Sequence, residues 1–268
     1  MRRPLRHALR EWPACSRSLR AARRVFVLSD YDGTLVPIVR QPDRTRLSQA
    51  TRDMLERLIH HPHVLVGVIS GRSLQTLRAL VPLRGLYYVG NHGAEVSGPG
   101  LRFIHPQIKA YRPVLRKIAR QLSPILSQIR GAHLESKGLS LSLHWRQVPP
   151  QDVVRFHQHV QPLLRPWLLR RQIRITTGKR VVEIRAPVSW DKGRGIAWIV
   201  RHVPGPRPIT LLYLGDDRTD EDAFQWVNRA GGLSIWVGRP RGVHTAARWW
   251  LVGPSEVREF LRKVLQSL

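Results

Sequence analysis

The chain has 268 residues, 42% hydrophobic and 24% charged, which describes an ordinary folded protein with room for a core domain and a smaller insert. Its one cysteine, Cys15, excludes an intrachain disulfide and a thiolate metal cage, and no apolar run approaches the roughly 20 residues of a membrane-spanning helix. A net charge of +27 raises nucleic-acid or anionic-membrane binding, but the arginines are scattered and carry no zinc-finger, RNA-recognition or OB-fold signature, so no specific nucleic-acid partner is expected.

Residues 1–24 are arginine-rich and lack the long apolar centre of a secretory signal, so they read as a basic leader in which Leu5, Ala8, Leu9 and Trp12 hint at a short amphipathic helix. Val25 to Leu28 then reads as a buried strand running straight into Ser29-Asp30-Tyr31-Asp32-Gly33-Thr34-Leu35. Ser48 to His60 has helical spacing with Ser48 as cap, Val64 to Ile69 is an apolar strand ending at Ser70-Gly71-Arg72, and a helix through Leu74, Leu77 and Leu80 stops near Pro82. Leu86 to Val89 is a third strand, closed by Gly90-Asn91-His92-Gly93.

The texture changes between residues 103 and 187. Tyr111 to Ile129 reads as a helix, Leu139 to Leu143 alternates as a strand with one wet face, and Val153 to Leu169 reads as a helix interrupted by prolines. Strands over Ile173 to Thr176 and Val181 to Ile184 follow. The strand–helix alternation then resumes: helix Lys192 to Val203, strand Ile209 to Leu214, Gly215-Asp216-Asp217 at its end, helix Asp220 to Asn228, strand Leu233 to Val237 and helix Glu256 to Leu265. The pattern predicts an α/β fold, a doubly wound parallel-sheet (Rossmann-like) core over 25–102 and 188–268, with an α+β cap domain inserted over 103–187.

Three polar clusters, Asp30 to Leu35, Ser70 to Arg72 and Gly215 to Asp220, each follow an apolar strand. Ligands bind at the carboxyl ends of strands in open parallel sheets, so these clusters are expected to meet in one crevice. Asp30, Asp32, Asp216, Asp217 and Asp220 would repel one another there unless a hard cation joined them, and oxygen ligands suit Mg²⁺. Phosphoryl transfer needs that cation together with a nucleophile, a proton donor and cationic clamps, for which Ser70 and Lys192 are suited. The bland alternatives are an Asx-turn at Asp30 and Asp32, a helix cap at Ser70 and a solvated helix lysine at Lys192.

Asp30-Tyr31-Asp32-Gly33-Thr34-Leu35, Ser70-Gly71-Arg72, Lys192-Gly193 and Gly215-Asp216-Asp217-Arg218-Thr219-Asp220-Glu221-Asp222 resemble, in order, the four motifs of haloacid-dehalogenase-type phosphatases. Within that superfamily the chain resembles the trehalose-6-phosphate phosphatases, through Thr219 to Phe224, Gly90 to Glu95, Glu135-Ser136-Lys137-Gly138, His144-Trp145-Arg146 and Glu183-Ile184-Arg185. It departs from them at Ala186, where that family commonly has proline.

The resemblance implies roles. Asp30 would be the nucleophile and Asp32 the acid and base; Mg²⁺ would be held by Asp30, Asp216 and the Asp32 carbonyl, with Asp217 and Asp220 behind. Ser70, Gly71 and Lys192 would bind the phosphoryl group, and Glu135, Lys137, Arg146 and Glu183 would hold sugar hydroxyls from the cap. It implies a phosphorylated disaccharide as partner, with a monomer and, from the cysteine count, a cytoplasmic location as expectations. Sucrose phosphate or mannosyl-phosphoglycerate as substrate, and a catalytically silent regulatory domain, are the competing readings. For the cap residues the bland reading is cross-strand ion pairing on a wet face.

Overall fold

The computed structural model describes residues 5–39, 45–178 and 180–268. The chain divides into two compact units, Met1–Phe103 with Trp190–Leu268, and Ile104–Ser189. The first segment carries β1 (Arg6–His7), α1 (Trp12–Cys15), α2 (Arg17–Arg20), β2 (Val25–Asp30), α3 (Gln49–Ile59), β3 (Val64–Ile69), α4 (Leu74–Leu80), β4 (Tyr87–Gly90), β5 (Glu95–Gly98) and β6 (Leu101–Ile104). The second unit holds α5 (Pro106–Ala110), α6 (Arg112–Leu126), β7 (His133–Ser136), β8 (Ser140–His144), α7 (Val153–Leu169), β9 (Arg174–Gly178) and β10 (Val181–Arg185). The chain returns to the first unit with α8 (Lys192–His202), β11 (Thr210–Gly215), α9 (Glu221–Arg229), β12 (Leu233–Val237), β13 (Trp249–Leu251) and α10 (Pro254–Ser267).

The first unit is built on a sheet ordered β1-β13-β12-β11-β2-β3-β4-β5-β6. Pairing is parallel from β1 through β4 and turns antiparallel between β4 and β5. All six residues of β2 are buried, because its alternate side chains enter two different cores. Val25 and Val27 join the cluster with α3 and α10, whereas Phe26 and Leu28 join the one with α8 and α9. A strand covered on both faces reads as a continuous apolar run, which is why Val25 to Leu28 does not alternate. From β2 the chain winds outward one way through β3 and β4, and later the other way through β11 and β12. The carboxyl ends of β2 and β11 therefore flank the topological switch point, where such sheets open a crevice.

Several elements differ from expectation. The segment read as a basic leader is part of the core unit: β1 pairs with β13, Trp12 packs edge-on against Phe260, and Ala8, Cys15 and Leu19 are at most 2% exposed. Its arginines dominate the composition while its apolar residues face inward. The hairpin partners β5 and β6, the edge strand β7, and β13 between β1 and β12 escape the sequence pattern because each is only three or four residues long. α7 is continuous through Pro162 and Pro166. The two prolines sit four apart on the exposed face, so the carbonyls they leave without donors point toward water.

The second unit is a four-stranded antiparallel sheet, β7-β8-β10-β9, against α6 and α7. Leu141, Leu143 and Ile184 face the helices with Leu115, Ile118, Phe156 and Val160. The opposite face of β8, expected to be wet, buries Ser140 and Ser142 at 3% and 1% exposure. Among the described residues no helix is long and apolar enough to cross a membrane.

Leu19 is fully buried in a segment that composition alone would discard. Leu19→Ala is expected to cost about 2–5 kcal/mol, the usual range for emptying a leucine site. Urea unfolding measures this; a change under about 0.5 kcal/mol would mean that the segment is detached from the core.

Candidate active site

β2 ends at Asp30, and the chain turns immediately: the amides of Leu35 and Val36 both donate to the Tyr31 carbonyl, at 3.0 and 3.1 Å. Gly33 occupies the left-handed region at φ +86°, and a Cβ there would lie 2.0 Å from Asp216 Oδ2. Glycine is thus required both by conformation and by the approach of the turn to the end of β11. The Thr34 hydroxyl donates to Asp216 Oδ1 at 3.2 Å, fastening the two strand ends together.

Lys192 is the first residue of α8, and Asp191 caps that helix through the Arg194 amide at 2.8 Å. Its ammonium, 2% exposed, donates to Asp30 Oδ1 at 2.6 Å and Asp220 Oδ1 at 2.7 Å. Asp220 is saturated: Tyr213 also donates to Oδ1, and the amides of Asp216 and Asp217 donate to Oδ2, both at 3.0 Å. Asp217 accepts from the Thr219 amide and hydroxyl, each at 2.7 Å, which sets the turn into α9.

One carboxylate oxygen from each of Asp30, Asp216 and Asp220 lies within 4.8 Å of the others, close enough to hold a metal ion. Asp220, with four donors on two oxygens, is poorly suited to be a ligand and instead fixes Lys192 and the 216–217 backbone. Asp30 and Asp216 keep acceptor capacity and could hold a cation between them.

The electrostatics favour the same conclusion. Burial, then the charges of Asp220 and Asp217, push Asp216 up to about 7. Asp30 is pushed well above the usual carboxylate range by burial, against the pull of Lys192. Asp220 is raised too, again by burial first. Burial acts to raise Asp217, but Lys192 and the Thr219 hydrogen bonds outweigh it and hold that carboxyl below its ordinary value. Lys192 is disfavoured by burial, yet Asp220, Asp30 and Asp217 hold its pKa well above normal. Tyr213, buried beside Asp220, stays a neutral phenol. The centre carries more carboxylates than its one ammonium can balance, a conflict that a divalent ion removes.

Ser70 and Gly71 follow β3. The Ser70 hydroxyl, in a residue 2% exposed, accepts from the Arg72 amide at 3.1 Å. Asn91 and His92 both adopt positive φ, 46° and 54°, an uncommon pair for residues with side chains. The His92 amide donates to the Ser70 carbonyl at 3.1 Å and the Asn91 amide to the Arg72 carbonyl at 2.7 Å, so this strained turn braces the 70–72 loop. The His92 ring lies over Gly71, where a Cβ would come 2.5 Å from Nε2.

Asp32 is held by Arg72 through both carboxylate oxygens, at 2.7 and 2.8 Å. Sequence reasoning missed Arg72, Thr34, Tyr213 and Glu95 as contributors. Glu95 receives the Asn91 side chain at 2.7 Å and the Leu74 amide at 3.1 Å, tying the turn to the start of α4. Arg72 stood inside a quoted motif; Tyr213 read only as a strand residue.

In the second unit, Glu135, Ser142, Glu183 and Thr176 pair across four strands and so form one row. Lys137 Nζ donates to Glu183 Oε1 at 3.3 Å, Arg185 donates to Glu183 Oε2, and His144 pairs with Glu135 at 2.9 Å. Arg146 lies two residues beyond β8 and is exposed. The structure thus brings Glu135, Lys137 and Glu183 onto one polar face and leaves Arg146 at its margin.

The switch-point crevice thus has aspartates at the ends of β2 and β11 and a lysine from α8, the helix that leads into β11. In fold, the chain is similar to a haloacid dehalogenase-like hydrolase from Bacteroides thetaiotaomicron, at a TM-score of 0.62 and 14% identity, over 90% of this chain and 99% of that one. It matches the C-terminal domain of the Candida albicans trehalose-6-phosphate phosphatase at a TM-score of 0.79 and 23% identity, over 96% and 97% of the two chains. Residues 28–252 match the family model for trehalose-phosphatase. A trehalose 6-phosphate phosphatase of Zea mays is 33% identical over 259 residues, covering 90% of this chain and 70% of the maize protein. The chain belongs to the trehalose-phosphatase family.

The crowding of carboxylates predicts a pH dependence in chelator-treated protein. Asp216 ionises near 3.8 when unfolded and at about 7 when folded, so folding retains a proton. The stability this contributes is complete below the unfolded value and is lost as pH rises toward 7. Asp216→Asn lacks that slope. Between about pH 4.5 and 7.5 the wild-type melting temperature is expected to fall relative to that of Asp216→Asn. Parallel curves would contradict the crowding.

Proposed function

We propose that the chain hydrolyses trehalose 6-phosphate to trehalose and phosphate through a phosphorylated aspartate. The observation that carries this reading is Asp30 at the tip of β2, buried, with Oδ1 held by Lys192 and Asp216 facing it from the end of β11. Asp30 attacks phosphorus, a P–O bond forms to its carboxylate, and the bond to the sugar oxygen breaks. Asp32 supplies the proton that the departing oxygen takes. Water then attacks the same phosphorus and gives its proton to Asp32, and the electron pair of the P–O bond returns to Asp30.

Mg²⁺, held by Asp30, Asp216 and the Asp32 carbonyl, would offset the carboxylate charge and that of the phosphoryl oxygens. Lys192 supplies the cation on the nucleophile's other oxygen. Ser70 and Gly71, with the loop braced by His92, present a hydroxyl and backbone amides to the phosphoryl group. The polar row of the second unit offers acceptors at Glu135 and Glu183 and donors at Lys137 and Arg146 for sugar hydroxyls. A disaccharide with many hydroxyls and no charge beyond its phosphate suits such a row. The lone buried Cys15 supports a cytoplasmic location, and we take the working unit as one chain.

Asp30→Asn is expected to lower phosphate release at least about 10³-fold while keeping the far-ultraviolet circular dichroism of the wild type, since the amide cannot form the intermediate. Chelation of Mg²⁺ should stop turnover and its return restore it. Glu183→Gln is expected to raise KM for trehalose 6-phosphate by about 10- to 100-fold, the value of a charge-assisted hydrogen bond, and to leave an aryl phosphate nearly unaffected. Assays across trehalose 6-phosphate, sucrose phosphate and glucose 6-phosphate decide the substrate; equal rates on all three would refute recognition by the second unit.

A further inference from the structure

Scattered along the sequence, the arginines are gathered by the fold of the second unit. No Asp or Glu occurs between Val96 and Leu134 or between Val153 and Val182, so α6 and α7 are without acidic side chains. The two helices pack on the sheet through Ile118, Leu122, Phe156 and Val160, and they meet where Lys117 Nζ lies 5.6 Å from the centre of the Trp167 ring. Around that contact, Arg116, Lys117 and Arg120 of α6 and Arg165, Arg170 and Arg171 at the end of α7 are all exposed. Among the described residues none of these six cations has a carboxylate partner.

Leu168 and Leu169 stand between Arg165 and Arg170, 40% and 74% exposed, an adjacent apolar pair that the unit leaves uncovered. The turn that carries them is fixed: the Arg171 and Gln172 amides donate to the Leu168 and Trp167 carbonyls, both at 2.9 Å. Arg171 takes a positive φ of 53°, a place after a helix that usually falls to glycine.

We propose that this end of the helical layer is a docking face for an anionic lipid surface. Clustered cations with no acid among them are drawn to the negative headgroups of such a surface. The leucine pair supplies what a nucleic acid does not use, apolar side chains that enter the boundary between headgroups and acyl chains while the arginines beside them stay with the phosphates. Among the described residues no helix can cross a membrane, so the attachment is peripheral. Within the second unit this face lies on the far side of the sheet from Glu135 and Glu183, so docking does not engage the polar row. The inference does not depend on the substrate.

Co-sedimentation of the whole chain with vesicles tests it. Binding is expected to phosphatidylcholine vesicles that contain phosphatidylglycerol, and not to phosphatidylcholine alone. Arg116→Gln/Lys117→Gln/Arg120→Gln is expected to weaken that binding at least about 10-fold. Removing the same charge from α3 and α10, with Arg57→Gln/Arg258→Gln/Arg262→Gln, should change it less than about threefold at about 150 mM salt, where distant charges are screened. Leu168→Ser/Leu169→Ser should weaken vesicle binding at least about fivefold and leave binding to a DNA duplex unchanged. Wild-type melting temperatures show that the variants are folded. Equal losses from the two triple variants would mean diffuse attraction to net charge, and vesicle binding indifferent to the leucine pair would mark a general polyanion surface. Either result overturns the proposal, as does failure to bind the anionic vesicles. If the leucine pair variant does not fold, Leu169→Ser, at the more exposed position, decides the apolar contribution alone.

Discussion

The ammonium of Lys192, wedged between Asp30 and Asp220 at 2.6 and 2.7 Å in an interior 2% exposed, is the contact on which the rest of the catalytic unit is arranged. A buried lysine without carboxylates would lose its proton, and these carboxylates without the lysine would resist ionising. Each makes the other's charge tenable. The arrangement also assigns unequal tasks to two aspartates of the same motif. Asp220 is enclosed by Lys192, Tyr213 and two backbone amides, so it is rigid and chemically spent. Among the described residues, Asp216 receives the Thr34 hydroxyl at 3.2 Å on Oδ1, which leaves Oδ2 able to face a cation. Removing one member of such a buried network costs far more than any single exposed ion pair, because the rest is left uncompensated.

The core was legible because its strands are covered on both faces and so appear as unbroken apolar runs, each ending in a polar cluster. The parallel sheet then forces those ends together, and Asp30, Asp216 and Lys192 could be placed in one crevice before any coordinate was known. The limits are equally physical. Residues 5–24 contribute Ala8, Cys15 and Leu19 to the core, but two- and four-residue elements leave no periodicity, and the arginines between them mimic a solvated tail. Pro162 and Pro166 suggested a broken helix because sequence does not show that both lie on the exposed side. The grip of Arg72 on Asp32 joins positions 40 residues apart and leaves no local trace.

The second unit illustrates how strand register converts scattered residues into a surface. Glu135 and Glu183 lie on strands flanking β8, both opposite Ser142. A serine there keeps the row low, whereas a larger residue would separate the two carboxylates. The alternation of leucine and serine in β8 was correctly read as two-faced, but the serines are buried, since the ionic side chains of Lys137, His144 and Arg185 fold across their neighbours. Such pairs hold carboxylates in fixed orientations at little net stability.

The two grips on the first motif act in opposite senses. Lys192 holds Asp30 by one oxygen, whereas Arg72 holds Asp32 by both. A nucleophile needs a free oxygen aimed at phosphorus, and a single donor provides orientation without blocking it. A fork on both oxygens, by contrast, fixes the plane of the Asp32 carboxylate. Arg72 is itself fixed through its backbone to Ser70 and Asn91, so the fork on Asp32 shares its anchor with the 70–72 loop.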